Sequence, residues 1–170
     1  MLERFCRSVD RLNEVVGWYL GPVIIGVTLA VVYEVVARGA FGRATVWASE
    51  LTVYASAALY LLAGGYAMLH RRHVRIDFFH ATRSERTRRR MDVFVLPFLA
   101  IYALTLIVVG GEFAWASFQL GERTGTPWNP PIWPVKAAIP LAGVLLLLQA
   151  IVNWLRDAGL APPLPRAQQP

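Results

Sequence analysis

Apolar positions along this chain run on without alternation: residues 15–33, 51–69, 93–111 and 137–155 each contain 19 consecutive residues with no Asp, Glu, Lys, Arg or His. At about 1.5 Å per helical residue each run is roughly 28 Å long, close to the ~30 Å hydrocarbon thickness of a bilayer. The pattern predicts an all-α integral membrane protein in a single membrane domain, with four transmembrane helices over about 15–37, 47–69, 92–116 and 134–156. Ahead of the first span, Leu2, Phe5, Val9, Leu12 and Val16 recur three or four apart with Arg4, Arg7 and Arg11 between them. That spacing predicts an amphipathic helix over residues 1–14, either lying in the membrane interface or forming a short cytoplasmic overhang. The first apolar run is full length, whereas a cleaved signal has a short core followed by a small-residue site, so this run is expected to remain as a span.

Proline marks where the helices stop. Pro127, Pro130, Pro131 and Pro134 crowd the third connection, so residues 123–133 should form a stiff loop and helix should resume at Pro134, a tolerable first-turn position. Pro22, Pro97 and Pro140 fall inside spans, where neighbouring helices can satisfy the freed carbonyls, and read as kinks. The proline-rich residues 161–170 read as a disordered tail.

Composition sharpens the class. Of 170 residues 56% are hydrophobic and 16% charged, with mean hydropathy +0.44, which excludes an ordinary water-soluble enzyme. Cys6 is the single cysteine, so neither an intrachain disulfide nor a multi-thiolate zinc site can form. The charge decides orientation: thirteen of the 17 basic residues lie before span one, between spans two and three, or after span four. Basic residues are retained in the cytoplasm, so both termini and the 70–91 loop are expected there. That loop has eight arginines against Asp77 and Glu85, a net +6 equal to that of the whole chain. Beside two spans and without aromatic stacking platforms, it reads as a topogenic signal touching anionic lipid, and no nucleic-acid partner is expected.

Ionisable groups inside the hydrocarbon would suggest transport chemistry, but Glu34, Glu50, Asp92 and Glu112 all fall at span ends. Glu34 and Arg38 have the i, i+4 spacing of an ion pair. His70, His73 and His80 sit in or beside the cytoplasmic loop and cannot ligate a transmembrane haem. His70, His73 and Asp77 have a spacing compatible with a metal, but the surrounding arginines oppose a cation, so they are read as membrane-boundary residues and no cofactor is expected. Ala55, Ala58, Gly64 and Gly65 in span two, and Gly110-Gly111 in span three, permit close helix packing. Trp18, Tyr19, Trp47, Trp115, Trp128, Trp133 and Trp154 stand near interfaces as aromatic belts.

The order Trp47-Ala48-Ser49-Glu50, Gly64-Gly65, His73-Val74-Arg75-Ile76-Asp77 and Ile132-Trp133-Pro134-Val135-Lys136-Ala137-Ala138-Ile139-Pro140 resembles the small membrane subunit of the tripartite ATP-independent periplasmic (TRAP) transporters. The resemblance implies a non-catalytic structural subunit of a bacterial inner-membrane secondary transporter. Its partners would be a large multi-spanning permease subunit, which would hold the substrate and sodium sites, and a periplasmic binding protein delivering organic acids. It also implies structural roles for Trp47, Glu50, Gly64, Gly65, His73, Arg75, Asp77, Trp133, Lys136 and Pro140. Ala55, Ala58 and Gly65 are expected to face the large subunit, and Glu122, Trp128 and Trp133 the binding protein. A self-sufficient homo-oligomeric carrier and a membrane-anchored regulator are the alternatives; the carrier lacks a midplane carboxylate through which to couple ion and solute. The charge partition alone predicts that a cysteine placed near Thr126 reacts with an impermeant reagent from outside the cell, and one near Arg88 only after permeabilisation. Reversed labelling would invert the topology.

Overall fold

The computed structural model describes residues 1–43, 45–70 and 85–161, with side chains from residue 96 onward in the last segment. His73, Arg75 and Asp77, most of the arginine-rich loop and the tail beyond Ala161 lie outside the described residues. Among the described residues four helices make up the fold: α1 (Leu2–Phe41), α2 (Val46–Leu69), α3 (Glu85–Gln119) and α4 (Trp133–Asp157). Each is long and apolar enough to cross a membrane. The helix stops follow local chemistry. Gly42 ends α1 in the left-handed region at φ 60, its N–H bonded back to the Ala37 carbonyl. Thr45 enters α2 from an extended conformation, and Pro134 occupies the first turn of α4 as its spacing predicts. Pro22, Pro97 and Pro140 all lie inside helices.

At 40 residues α1 is about 60 Å long, twice the hydrocarbon thickness. Residues 2–14 are helical, as the apolar spacing predicts, and continue unbroken into the span. The face they bury within the protein is Cys6, Val9, Asp10 and Asn13, while Leu2, Phe5 and Leu12 stay exposed. The apolar stripe is thereby split: Val9 joins Cys6 and Val152 in a small core bordered by Leu148, Leu155 and Ala161.

The helices form an open layer in the order α3, α4, α2, α1, with α1 lying along α2 and reaching α4 only to a small extent. Small residues set the closest approaches. A Cβ on Gly110 would stand 2.5 Å from Ile139 Cγ2, and one on Gly143 2.9 Å from the Ala103 carbonyl, so α3 and α4 touch almost backbone to backbone. A Cβ on Gly17 would strike the Tyr66 ring, which fixes α1 against α2.

Polar side chains join three helices at the end where the chain begins and where α4 stops. Asp10 receives both guanidinium nitrogens of Arg156, NH1 at 3.1 Å to Oδ1 and NH2 to Oδ2. Gln149 donates to Asp10 at 3.2 Å and accepts from Asn13 Nδ2 at 2.8 Å. Asn153 donates to the Met68 carbonyl of α2 at 2.9 Å. Asp10, Asn13, Gln149 and Arg156 are all buried. Removing one member of such a pair leaves an uncompensated buried charge, whereas removing both exchanges it for apolar packing. Arg156→Leu should therefore destabilise the detergent-solubilised chain by about 3–5 kcal/mol, and Asp10→Leu in the same chain should restore most of the loss. Thermal unfolding followed by circular dichroism checks both; an additive double mutant would show that the pair does not interact.

Candidate functional site

Opposite this network, the far ends of the helices carry the connections that sequence reasoning singled out. Glu34, near the end of α1, accepts from Arg38 at 2.6 Å, confirming the pair its spacing predicts. It also accepts the Thr45 amide at 3.0 Å and the Thr45 hydroxyl, so one carboxylate closes the α1–α2 turn. Trp47 lies against Tyr33 with centroids 5.6 Å apart and clamps the same turn from outside.

The loop after α3 is built almost entirely from its own hydrogen bonds. Arg123 and Pro131 pair as an isolated antiparallel bridge, with the Ile132 amide bonded to the Glu122 carbonyl at 3.0 Å and Thr124 to Pro130 at 3.3 Å. Arg123 NH1 donates to the Asn129 carbonyl at 2.9 Å, and Asn129 Oδ1 accepts the Gly125 amide at 3.1 Å. Asn129 takes φ 49, a left-handed conformation that asparagine tolerates, and its amide donates to Thr126 Oγ1 at 3.1 Å. The closing contacts of Arg123, Thr126 and Asn129 were missed by the sequence reading. An Asn next to a proline pair and two residues behind another proline is the turn signal that could have found them.

Lys136 of α4 ties this loop to the layer by donating to Glu122 Oε2 at 2.5 Å. Thr124 reaches Glu50 Oε2 of α2 at 3.5 Å and shares a hydroxyl contact of 2.9 Å with Thr126. Glu50 and Lys136 are thus brought to one structure by way of Thr124 and Glu122. Glu50 Oε1 and Tyr54 OH are buried without a hydrogen-bond partner among the described residues. Trp128 and Trp133 remain 44% and 39% exposed; Trp133 packs edge-on against Phe118 at 5.5 Å, and Phe118 stacks on Trp115 at 5.9 Å.

The remaining motif residues divide by location. A Cβ on Gly64 would meet Leu146 at an ordinary contact distance of 3.5 Å, while Pro140 lies near Gly110 at the α3–α4 crossing. Gly65 is not available to another polypeptide: it is buried, and a Cβ there would collide with Asn13 Oδ1 and stand 3.1 Å from Leu145 Cβ. The expected partner face is corrected at that residue, because α1 and α4 already close over it. Ala55 and Ala58 stay half-buried. No grouping of three or more His, Cys, Asp or Glu suited to a metal exists among the described residues.

Four long apolar helices in one open layer, joined at one end by a buried ion pair and at the other by a self-braced loop, define a multi-pass helical membrane protein. The chain belongs to the tripartite ATP-independent periplasmic transporters, DctQ component: the family model matches residues 27–159, from mid-α1 to just past α4. That is a family of transport-system components rather than of enzymes, and it places the chain among multi-pass inner-membrane proteins. No curated protein matches the sequence.

The Lys136 ammonium hydrogen-bonded to Glu122 holds that carboxyl below its ordinary value of 4.5. The sign follows: the tie is fully present above pH 4.5 and is lost as pH falls through the lowered folded value. Glu122 is partly exposed, so the effect is local. Acid titration followed by the Ile132 amide resonance should show the loop loosening only below that range, and Glu122→Gln should abolish the transition. A transition that persists in Glu122→Gln would assign it to another group.

Proposed function

We propose that this chain is the fixed, non-catalytic small subunit of a TRAP-type secondary transporter, supporting a large permease subunit during binding-protein-dependent, sodium-coupled uptake of organic acids. The observation that carries the reading is the uncovered first helix. The most apolar stretch of α1 has none of its residues buried within the chain, in a layer whose family assembles into transporters. A helix left bare in this way offers contact area without any ionisable group in its hydrocarbon run, which suits a support and not a carrier. Substrate and sodium would be bound by the large subunit. The loop bearing Glu122, Trp128 and Trp133 would face the periplasm and meet the binding protein, since a rigid loop with exposed tryptophans loses little entropy on docking. The termini and the arginine-rich 70–91 loop would face the cytoplasm and anionic lipid.

Reconstitution separates this role from the alternatives. Proteoliposomes containing the purified chain alone should show no solute uptake under a sodium or proton gradient, whereas addition of the large subunit and loaded binding protein should produce it. Gradient-driven uptake by the chain alone would establish the self-sufficient carrier instead.

A further inference from the structure

Between α1 and α2 the layer opens into a groove of about 330 Å³, bounded by Leu20, Ile24 and Val27 on one side and by Leu59, Tyr60 and Ala63 on the other. Its depth can be read from the sequence. Ile24 and Tyr60 are the midpoints of the uncharged runs 15–33 and 51–69, so the groove lies at the centre of the hydrocarbon, about 14 Å from either edge. Its lining is apolar apart from the hydroxyls of Thr28, Ser56 and Tyr60, of which the phenol of Tyr60 stands farthest from its own backbone. Tyr60 is 84% exposed, and its hydroxyl makes no hydrogen bond within the described chain. Thr28, by contrast, turns its hydroxyl back onto the Ile24 carbonyl at 2.9 Å and needs nothing further.

A tyrosine near a span end places its hydroxyl among headgroups. At the span centre its side chain is too short to reach either interface, and hydrocarbon offers no acceptor. Filling the groove with an acyl chain would satisfy its apolar walls and leave the phenol stranded. The occupant must therefore be apolar along most of its length and carry one hydrogen-bonding group at mid-membrane. A transmembrane helix has this composition, its polar group being a Ser, Thr or Asn side chain or a carbonyl freed at a proline or glycine break. Ser56, Tyr60 and Ala63 recur at i, i+4 and i+7 along α2, and the small members at either end would let such a helix approach closely. This face lies one residue around α2 from Ala55 and Ala58.

We propose that the α1–α2 groove seats a transmembrane helix of the large permease subunit, which supplies a hydrogen-bond partner to the Tyr60 hydroxyl at the bilayer midplane. The assignment rests on the small-subunit role proposed above and specifies where the large subunit binds.

The test uses the assembled transporter in its membrane. With a photoreactive benzoylphenylalanine at position 60, irradiation should give an adduct of this chain with the large subunit. Tyr60→Phe should lower co-purification of the large subunit about threefold, the worth of one membrane hydrogen bond, and Ala63→Trp, which fills the groove, more than about tenfold. Tyr60→Phe should leave the thermal stability of the isolated chain unchanged, and Leu29→Trp, on an exposed part of α1 outside the groove, should leave recovery unchanged. An adduct with a second copy of this chain, or with lipid alone, would overturn the assignment, as would undiminished recovery of Tyr60→Phe and Ala63→Trp. In those cases the wild-type complex still forms and the small-subunit role stands. Failure of the wild-type chain to recover any large subunit would remove both.

Discussion

The bidentate pair between Asp10 and Arg156 is the contact on which the arrangement of the first helix depends. α1 is long, mostly bare, and lies chiefly along α2. Its buried residues fall into two sets, one near each end: Cys6, Val9, Asp10 and Asn13, then Glu34 and Ala37. At the first set a charged and amide network replaces the apolar packing that a thicker bundle would supply. A buried charge with both partners present and the Gln149 amide engaged through both its oxygen and its nitrogen is tolerable, whereas one partner missing is costly. The arrangement therefore specifies one register between α1 and α4: a slip of one residue would separate Asp10 from Arg156 and Asn13 from Gln149 together.

The second set closes the opposite end. Glu34 gathers Arg38 and both polar groups of Thr45, which fixes how α2 turns back along α1. Glu122 and Lys136 do the equivalent for α3 and α4. The Glu34 and Glu122 ties thus occupy the helix ends, where headgroup water lowers their desolvation cost. Glycine and alanine contacts such as Gly143 against Ala103 occupy the interior, where close approach is the main source of helix association. The result is a thin layer held at its rims, with broad apolar faces left over.

Those faces connect fold to function. A chain of this size cannot cover four spans by packing them against one another in a single layer, and a component of a multi-subunit transporter need not. Residues such as Tyr60, with a polar tip at mid-membrane and no partner in the described chain, mark where the layer is unfinished.

The sequence by itself determined the number of long apolar helices and their family. Uninterrupted apolar runs have essentially one solution in a bilayer, and Gly42, Pro134 and the 127–131 prolines act on their immediate neighbours. It also made the Glu34–Arg38 pair legible, because four residues of helix bring two side chains to one face whatever surrounds them. The Asp10–Asn13–Gln149–Arg156 network was not legible to a search for charges inside spans, since Gln149 and Asn153 carry none. Their spacing with Arg156 at i, i+4 and i+7 was the available sign. Only the tertiary structure could decide that Gly65 is closed over by Asn13 and Leu145 while Tyr60, five residues away, is left open. A run apolar on every side gives no periodic signal of which face is inside, so the choice of face is made by the partners that pack against it.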